Sequence, residues 1–286
     1  MKLLKVSLLW LCSFFVIPMG FAEPVELVTE QDHLVVANLL TGTNDKNPVL
    51  ILHGFLQTRE FPTVSRLATA LNEAGYTVLN PSLSLGINNR KKSLSCEAVH
   101  THSLEMDAGE LALWVEWLSK KTSRPVTLIA HSAGGPVVLK YLEEYNAKQV
   151  NHAVLISLSY YAESKTTNEK KSHAQQALRA IKKKANPLDT YSLNYCKKYP
   201  TFAKNFLSYY NWNKEKTSLV VSKFNNIISI VLGTDDKRID GDWKKQLQSR
   251  HNNVVKIEGA NHFFDQAYEF DLTDAVENIL KEKMAL

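Results

Sequence analysis

Glycine and proline are scarce in this sequence, with 11 and 9 among its 286 residues. These counts exclude a collagen-like repeat and a linker-rich array of small modules. An excess of one charge is also lacking, because 34 Lys and Arg oppose 29 Asp and Glu for a formal net charge of +5. A nucleic-acid-binding protein would carry a dense basic stripe with aromatic stacking positions, so we expect no nucleic-acid partner.

The remaining composition is typical of a globular protein. Hydrophobic residues make up 44% of the chain and charged residues 22%. The length suits one large α/β domain or two small ones, with enough apolar residues for a buried core.

The N-terminus has the pattern of a secretory signal peptide. Residues 1–22 carry two lysines near their start, Lys2 and Lys5, followed by an apolar run over 6–17. They end in small residues at a cleavage site expected after Ala22. An uncleaved membrane anchor is the alternative, but the run is shorter than a spanning helix requires. We therefore expect a mature domain of residues 23–286, exported to the periplasm or secreted, with no stable membrane span.

Cysteine is also rare, with three in the chain. One lies in the predicted signal peptide, which leaves Cys96 and Cys196 in the mature domain. An even count in an exported chain permits one disulfide between them. Two unpaired thiols are the alternative.

Apolar strands alternate with amphipathic helices along most of the chain. Two antiparallel strands are predicted at 25–30 and 34–40, followed by strands at 48–52, 76–80, 126–130, 152–158, 227–232 and 253–258. Helices are predicted near 61–74, 103–120, 133–145, 241–250 and 267–283. This alternation predicts an α/β fold, with a mostly parallel sheet and helices on both faces.

Residues 159–216 interrupt the alternation, and we interpret them as an inserted helical cap. The segment is polar and rich in lysine and in aromatic residues. Its aromatic residues fit two roles equally well: the wall of an acyl-binding site, or the core of the insertion itself.

The most informative motif is AHSAG, residues 130–134, which joins a predicted strand directly to a helix. It is nearly the nucleophile elbow, in which a sharp turn exposes a serine hydroxyl above the sheet. Small residues are needed two positions before and two positions after Ser132, because larger side chains would collide with the strand and the helix. Ala130 and Gly134 occupy these positions; glycine is usual at the first, so Ala130 departs from the common pattern.

A second motif, HGF at residues 53–55, follows the predicted strand at 48–52. With this turn and the elbow, the chain resembles the α/β-hydrolase family. The resemblance implies that the backbone N–H groups of Phe55 and Ala133 form an oxyanion hole. We interpret His53 as packing under the turn, and His131 as a neighbour of the site.

An acid and a base follow two later strands. Asp235 and Asp236 come after the strand at 227–232, and His262 comes after the last strand. The order serine, acid, histidine is the one that α/β-hydrolases use. The family's usual spacing favours Asp236, with Asp235 as the alternative.

The resemblance implies a serine hydrolase that cleaves carboxylic esters through a Ser132–His262–Asp236 triad and an acyl-enzyme. The expected substrate is a small-molecule or lipid ester, and no metal or organic cofactor is implied. Two alternatives stay open on the sequence: a catalytically idle protein that binds a partner in the cell envelope, and an acyltransferase with the same triad.

A metal site near His100 and His102 is a weaker hypothesis. Cys96, Glu97 and Asp107 lie nearby in the sequence, but the spacing matches no zinc signature. Cys96 also has a better use in the disulfide, so we predict no metal here.

Overall fold

A computed structural model describes residues 22–43, 45–145, 147–162, 168–251 and 253–284. The signal peptide predicted for residues 1–22 lies outside the described residues, except for Ala22.

An eight-stranded sheet forms the centre of the fold, in the order β1-β2-β4-β3-β5-β6-β9-β10. Its strands are β1 (Glu23–Val28), β2 (Leu34–Leu40), β3 (Val49–Leu52), β4 (Val78–Ser82), β5 (Val126–His131), β6 (Val150–Ile156), β9 (Ile228–Gly233) and β10 (Val254–Ile257). β1 and β2 are antiparallel to their neighbours, and the strands from β4 to β10 pair in parallel.

Eight helices accompany the strands in the described part of the chain. They are α1 (Pro62–Glu73), α2 (Leu104–Thr122), α3 (Gly134–Glu144), α4 (Asn168–Lys182), α5 (Ala203–Tyr210), α6 (Lys214–Lys223), α7 (Gly241–Arg250) and α8 (Tyr268–Met284). A short 3-10 helix, Ala147–Gln149, precedes β6.

Two hydrophobic cores lie on opposite faces of the sheet, because successive strand residues point to opposite sides. In β3, Val49 and Ile51 join a core with α1 and α8, whereas Leu50 and Leu52 join a core with α2, α3 and α7. All four residues of β3 are fully buried. This arrangement confirms the predicted layers, with helices on both faces of a mostly parallel sheet.

Most predicted elements agree with the structure to within a few residues. The largest strand differences are two-residue shifts of β1, β4 and β6; β1 spans Glu23–Val28 and not 25–30. β4 begins two residues later than predicted and ends at Ser82, and β6 begins two residues earlier, at Val150. In β4 and β6 the apolar run continues past the strand end into buried loop residues, so hydrophobicity alone misplaces the boundaries.

The insertion between β6 and β9 contains helices, as predicted, and also a β-hairpin that was not predicted. Strands β7 (Leu188–Leu193) and β8 (Cys196–Phe202) form this antiparallel hairpin. α6 then packs against α3 and α7, so it rejoins the layers of the main domain.

The aromatic residues of the cap pack partly on one another and partly on the main domain. Tyr191 stacks on Phe206 with ring centroids 4.3 Å apart, and Tyr199 stacks on His100 at 4.0 Å. Tyr191, Tyr199 and Phe206 are fully buried. Tyr191 and Phe206 take the second of the two roles that the sequence left open, whereas Tyr199 packs against the main domain.

A disulfide joins the cap to the main domain. Cys96 lies in the loop after β4 and Cys196 begins β8, with their Cα atoms 5.3 Å apart across 100 residues of sequence. The bridge fixes the end of the hairpin against that loop. In the described residues, no helix is long and apolar enough to cross a membrane.

We expect the double variant Cys96→Ser/Cys196→Ser to lose about 2–5 kcal/mol of the free energy of unfolding, because a bridge that closes a long loop restricts the unfolded chain. Urea unfolding of the variant and of the wild type, each with and without reductant, measures the loss. Reductant should lower the midpoint of the wild type and leave that of the variant unchanged. Equal midpoints for oxidised and reduced wild type would contradict the expectation.

Four histidines are almost completely buried and have lowered pKa values. Burial, with the charge of Arg90, lowers the pKa of His53 to about 3. Burial and the neighbouring His262 lower the pKa of His131 to about 3. Burial also lowers the pKa values of His100 and His152 to about 4. All four rings are therefore neutral in the folded protein at neutral pH.

Because of these buried histidines, we expect mild acid to destabilise the folded protein. An unfolded histidine binds a proton near pH 6.5, whereas the folded His53 and His131 do so near pH 3, so the unfolded state gains protons first. Their stabilising contribution is complete above pH 6.5 and is lost as the pH falls toward 3. Each contributes a slope of about 1.4 kcal/mol per pH unit.

Urea unfolding at intervals between pH 7 and pH 5 measures this slope. His152→Gln removes one buried ring, which contacts Ser229 Oγ at 2.9 Å, and should reduce the slope. His33→Gln changes a partly exposed histidine in the turn after β1 and serves as the matched control. A wild-type stability that is constant over this range would refute the prediction.

Candidate active site

Ser132 lies at the turn between β5 and α3 with a left-handed backbone, φ 55°. Non-glycine residues rarely adopt this conformation unless their surroundings hold it. Here the Ser132 N–H donates to the Ile156 carbonyl at 2.8 Å, and the Gly135 N–H donates to the Ser132 carbonyl at 3.0 Å. The turn has the form expected of a nucleophile elbow.

The small residues of the AHSAG motif are explained by close packing. A Cβ atom on Gly134 would lie 2.5 Å from the His53 carbonyl oxygen, so only glycine fits there. Ala130 is fully buried within β5. The elbow and the turn at residues 53–55 are therefore in direct backbone contact.

A chain of hydrogen bonds connects the serine to a histidine and an aspartate. Ser132 Oγ lies 2.9 Å from His262 Nε2, and His262 Nδ1 lies 2.8 Å from Asp236 Oδ2. Ser132 follows β5, Asp236 follows β9, and His262 follows β10, so all three stand at the carboxyl edge of the sheet. Open α/β sheets place their sites at this edge.

Asp236 is buried and fully hydrogen-bonded. Its Oδ2 also accepts from Ser157 Oγ at 2.9 Å, and its Oδ1 accepts from the N–H groups of Arg238 and Ile239. Burial alone would raise the pKa of Asp236, but the hydrogen bonds outweigh burial and hold the pKa below its ordinary value. The carboxylate therefore stays ionised beside His262.

Asp235 points elsewhere. Its side chain is 58% exposed and lies 3.6 Å from Lys237 Nζ. The geometry thus separates the two aspartates that the sequence left open.

His131 supports His262 through a hydrogen bond to its backbone. The buried, neutral His131 donates from Nε2 to the His262 carbonyl at 2.9 Å, and the two ring centroids are 5.0 Å apart. It does not contact Ser132 Oγ, and it fixes the backbone of the histidine that does.

The predicted oxyanion donors flank the serine. In the described residues, no backbone or side-chain acceptor pairs with the N–H group of Phe55 or of Ala133. Two tyrosines hold the same residues through their carbonyls: Tyr195 donates to Phe55 at 3.2 Å, and Tyr161 donates to Ala133 at 3.0 Å. Both N–H groups therefore lie on fixed backbone with their hydrogen-bonding capacity unused.

A buried arginine braces the turn at residues 53–57. Arg90 donates to the carbonyls of Gln57 at 2.7 Å, Leu83 at 2.6 Å and Lys92 at 2.9 Å. His53 Nε2 accepts from the Leu83 N–H at 3.1 Å, and its Nδ1 contacts the Gly54 carbonyl at 2.8 Å. His53 thus packs under the turn, as expected.

The residues of the rejected metal hypothesis have other partners. Cys96 forms the disulfide, and His102 contacts Asp107 at 3.1 Å. Tyr209 donates to the same carboxylate at 2.6 Å, and Tyr199 OH lies 3.2 Å from His102 Nε2. This buried network joins α2 to the cap.

An open cleft of about 490 Å³ leads to Ser132 and His262. Its walls include Phe55 from the turn after β3, Tyr195 from the hairpin tip and Arg238 from the loop after Asp236. Sequence reasoning included Tyr195 among the aromatic residues of the cap without singling it out, and it did not find Ser157 or Arg238. Ser157 could have been found from its place at the end of β6, whereas the position of Tyr195 depends on the fold of the cap.

Comparison with known proteins agrees with the fold. The family model described as the alpha/beta hydrolase fold matches residues 47–183. No curated protein matches the sequence.

Several solved structures share the fold. Est1E from Butyrivibrio proteoclasticus has a TM-score of 0.65 and 17% identity, covering 92% of this chain and 99% of that one. A monoacylglycerol lipase from Paleococcus ferrophilus has a TM-score of 0.62 and 17% identity, covering 87% and 99%. The Pyrococcus furiosus esterase PF2001 has a TM-score of 0.56 and 17% identity, covering 92% and 91%.

Identities this low establish a common fold and leave the substrate open. Together with the family model and the strand order, they show that the chain has the α/β-hydrolase fold.

Proposed function

We propose that this protein is an exported serine hydrolase that cleaves carboxylic esters through Ser132, His262 and Asp236. The observation that carries the proposal is the continuous chain of hydrogen bonds from Ser132 Oγ through His262 to Asp236. A serine hydroxyl is a weak nucleophile at its own pKa and needs a base held in the correct tautomer. The esterase and the lipase among the structural neighbours support ester substrates.

In the first half of the reaction, Ser132 Oγ attacks the ester carbonyl carbon while His262 Nε2 takes its proton. Asp236 stabilises the imidazolium that forms, and the N–H groups of Phe55 and Ala133 donate to the oxyanion. The intermediate collapses as His262 returns the proton to the departing alkoxide oxygen, which leaves as an alcohol. Ser132 is then esterified by the acyl group.

In the second half, water enters the open cleft and attacks the acyl-enzyme. His262 takes a proton from the water, the oxyanion forms in the same place, and Ser132 leaves with that proton. The products are the carboxylic acid and the free enzyme. An assembled chain of hydrogen bonds beside an open cleft favours this catalytic role over a purely binding role.

Two features support export. The N-terminal segment has the sequence pattern of a signal peptide, and disulfides persist in oxidising compartments. The bridge between Cys96 and Cys196 fits such a compartment.

The test of the function is active-site labelling. We expect a fluorescent fluorophosphonate to label the wild-type protein at Ser132, and we expect Ser132→Ala to abolish labelling and to lower ester hydrolysis by at least about 10⁴-fold. Peptide mapping locates the label, and circular dichroism checks that the variant is folded. Full hydrolysis by a folded Ser132→Ala protein, or a folded wild type that neither labels nor hydrolyses, would refute the proposal.

The two aspartates provide a matched pair for the acid. Asp236→Asn should lower kcat by about 10³–10⁴-fold, because an amide can hold the wrong tautomer of His262. Asp235→Asn removes only an exposed carboxylate and should stay within about twofold of the wild type, as is usual for a surface contact. Steady-state hydrolysis of one para-nitrophenyl ester by both variants gives the comparison. If Asp235→Asn lowered kcat more than Asp236→Asn does, the choice of Asp236 as the acid would be wrong.

A further inference from the structure

The cleft beside Ser132 has a single permanently charged side chain among its described walls. This is Arg238, and the other polar side chains there are those of Gln57, Ser132, Ser159, Asn194, Tyr195 and His262. In the described part of the chain, no carboxylate forms an ion pair with the Arg238 guanidinium. The neighbouring Lys237, in contrast, is 85% exposed and lies 3.6 Å from Asp235.

Arg238 is an exposed residue that two contacts tie to the site. Its guanidinium carbon lies 4.8 Å from the centroid of the Phe263 ring, a cation–π contact next to His262. Its backbone N–H donates to Asp236 Oδ1 at 2.9 Å, so its Cα is fixed relative to the acid. The charge also reaches across the cleft, because it offsets part of the rise that burial causes in the pKa of Tyr195.

The other polar groups of the cleft add hydrogen-bond donors. Ser159 Oγ is buried and has no hydrogen-bond partner in the described residues. Gln57 Oε1 already accepts from the Gly54 N–H at 3.1 Å, which leaves its NH₂ group to donate. Asn194 lies at the tip of the hairpin and also lines the cleft. A cation with neutral donors and no carboxylate matches a ligand that is rich in acceptors.

Apolar side chains do not dominate the lining of the cleft. The aromatic walls of the cleft are Phe55, Phe263 and Tyr195, whereas Tyr191, Tyr199 and Phe206 are fully buried. A site for a long acyl chain would be lined mostly by apolar side chains. The cleft therefore suits a short ester with a polar end.

We propose that the substrate is an ester carrying a second, anionic group, a carboxylate or a phosphate, which Arg238 binds while the ester carbonyl lies at Ser132. Arginine suits this role because its planar fork pairs with two oxygens at once. This inference rests on the proposed function, because it names the substrate class of the same site. Arg238 acts on specificity and takes no part in the bond-breaking steps.

Two pairs of esters test the proposal, each pair differing only by a carboxylate and its amide. The para-nitrophenyl monoester of adipic acid and its terminal amide place the charge on the acyl side. Para-acetoxybenzoate and para-acetoxybenzamide place it on the leaving group. The measurement is the ratio of kcat/KM, carboxylate over amide, for each pair in wild type, Arg238→Gln, Arg238→Lys and Lys237→Gln.

We expect a ratio above one for at least one pair in the wild type. Arg238→Gln should lower that ratio about tenfold, and Arg238→Lys should lower it less, because lysine keeps the charge and loses the fork. The wild-type ratio should also fall as salt is added, because salt screens an exposed charge. Lys237→Gln should leave the ratio unchanged.

The pair with the larger effect shows which side of the ester carries the anion. Ratios that Arg238→Gln leaves unchanged, in a wild type that hydrolyses the esters, would overturn this inference and leave the proposed function standing. An equal effect of Lys237→Gln would reduce the role of Arg238 to general surface charge and would also overturn it. A wild type that hydrolyses none of the esters and takes no fluorophosphonate label would overturn both proposals together.

Discussion

The left-handed backbone of Ser132 is the constraint on which the arrangement of the site depends. A serine with φ 55° does not keep this conformation by its own preference. The hydrogen bond to the Ile156 carbonyl and the packing of Gly134 on the His53 carbonyl hold it. Because these contacts are made by backbone, the serine hydroxyl and the turn that carries Phe55 are fixed against each other before any substrate binds, which is the condition for effective stabilisation of an oxyanion.

That turn is supported by an uncommon buried charge. Burial lowers the pKa of Arg90 to about 10, so the group remains charged at neutral pH, and an isolated buried cation costs several kcal/mol. Hydrogen bonds to three carbonyls, on Gln57, Leu83 and Lys92, offset this cost. In return, one side chain connects the turn at residues 53–57 to the loop after β4, two segments without a strand or helix of their own. The position of Phe55 thus depends on a residue far from the reacting atoms.

Much of the site could be predicted from the sequence because its parts have local signals. Ser132, Asp236 and His262 each follow a short apolar strand, and the carboxyl ends of parallel strands meet at one edge. The structure brings these three side chains together, while their catalytic roles stay predictions. The hairpin of the cap was missed because β7 and β8 are half polar, and only cross-strand contacts such as Tyr191 opposite Tyr199 favour the extended form.

In the proposed enzyme, different groups carry substrate selection and chemistry. The N–H group of Arg238 holds Asp236, but a backbone N–H is present whatever the side chain, so the residue at 238 can change without loosening the acid. Asn194 is also not part of the hydrogen-bonded chain, because it lies at the tip of the β7–β8 hairpin. The disulfide at Cys196 ties that hairpin to the main domain. The side chains at 238 and 194 can therefore be substituted while the strand ends hold Ser132, His262 and Asp236 in the same positions.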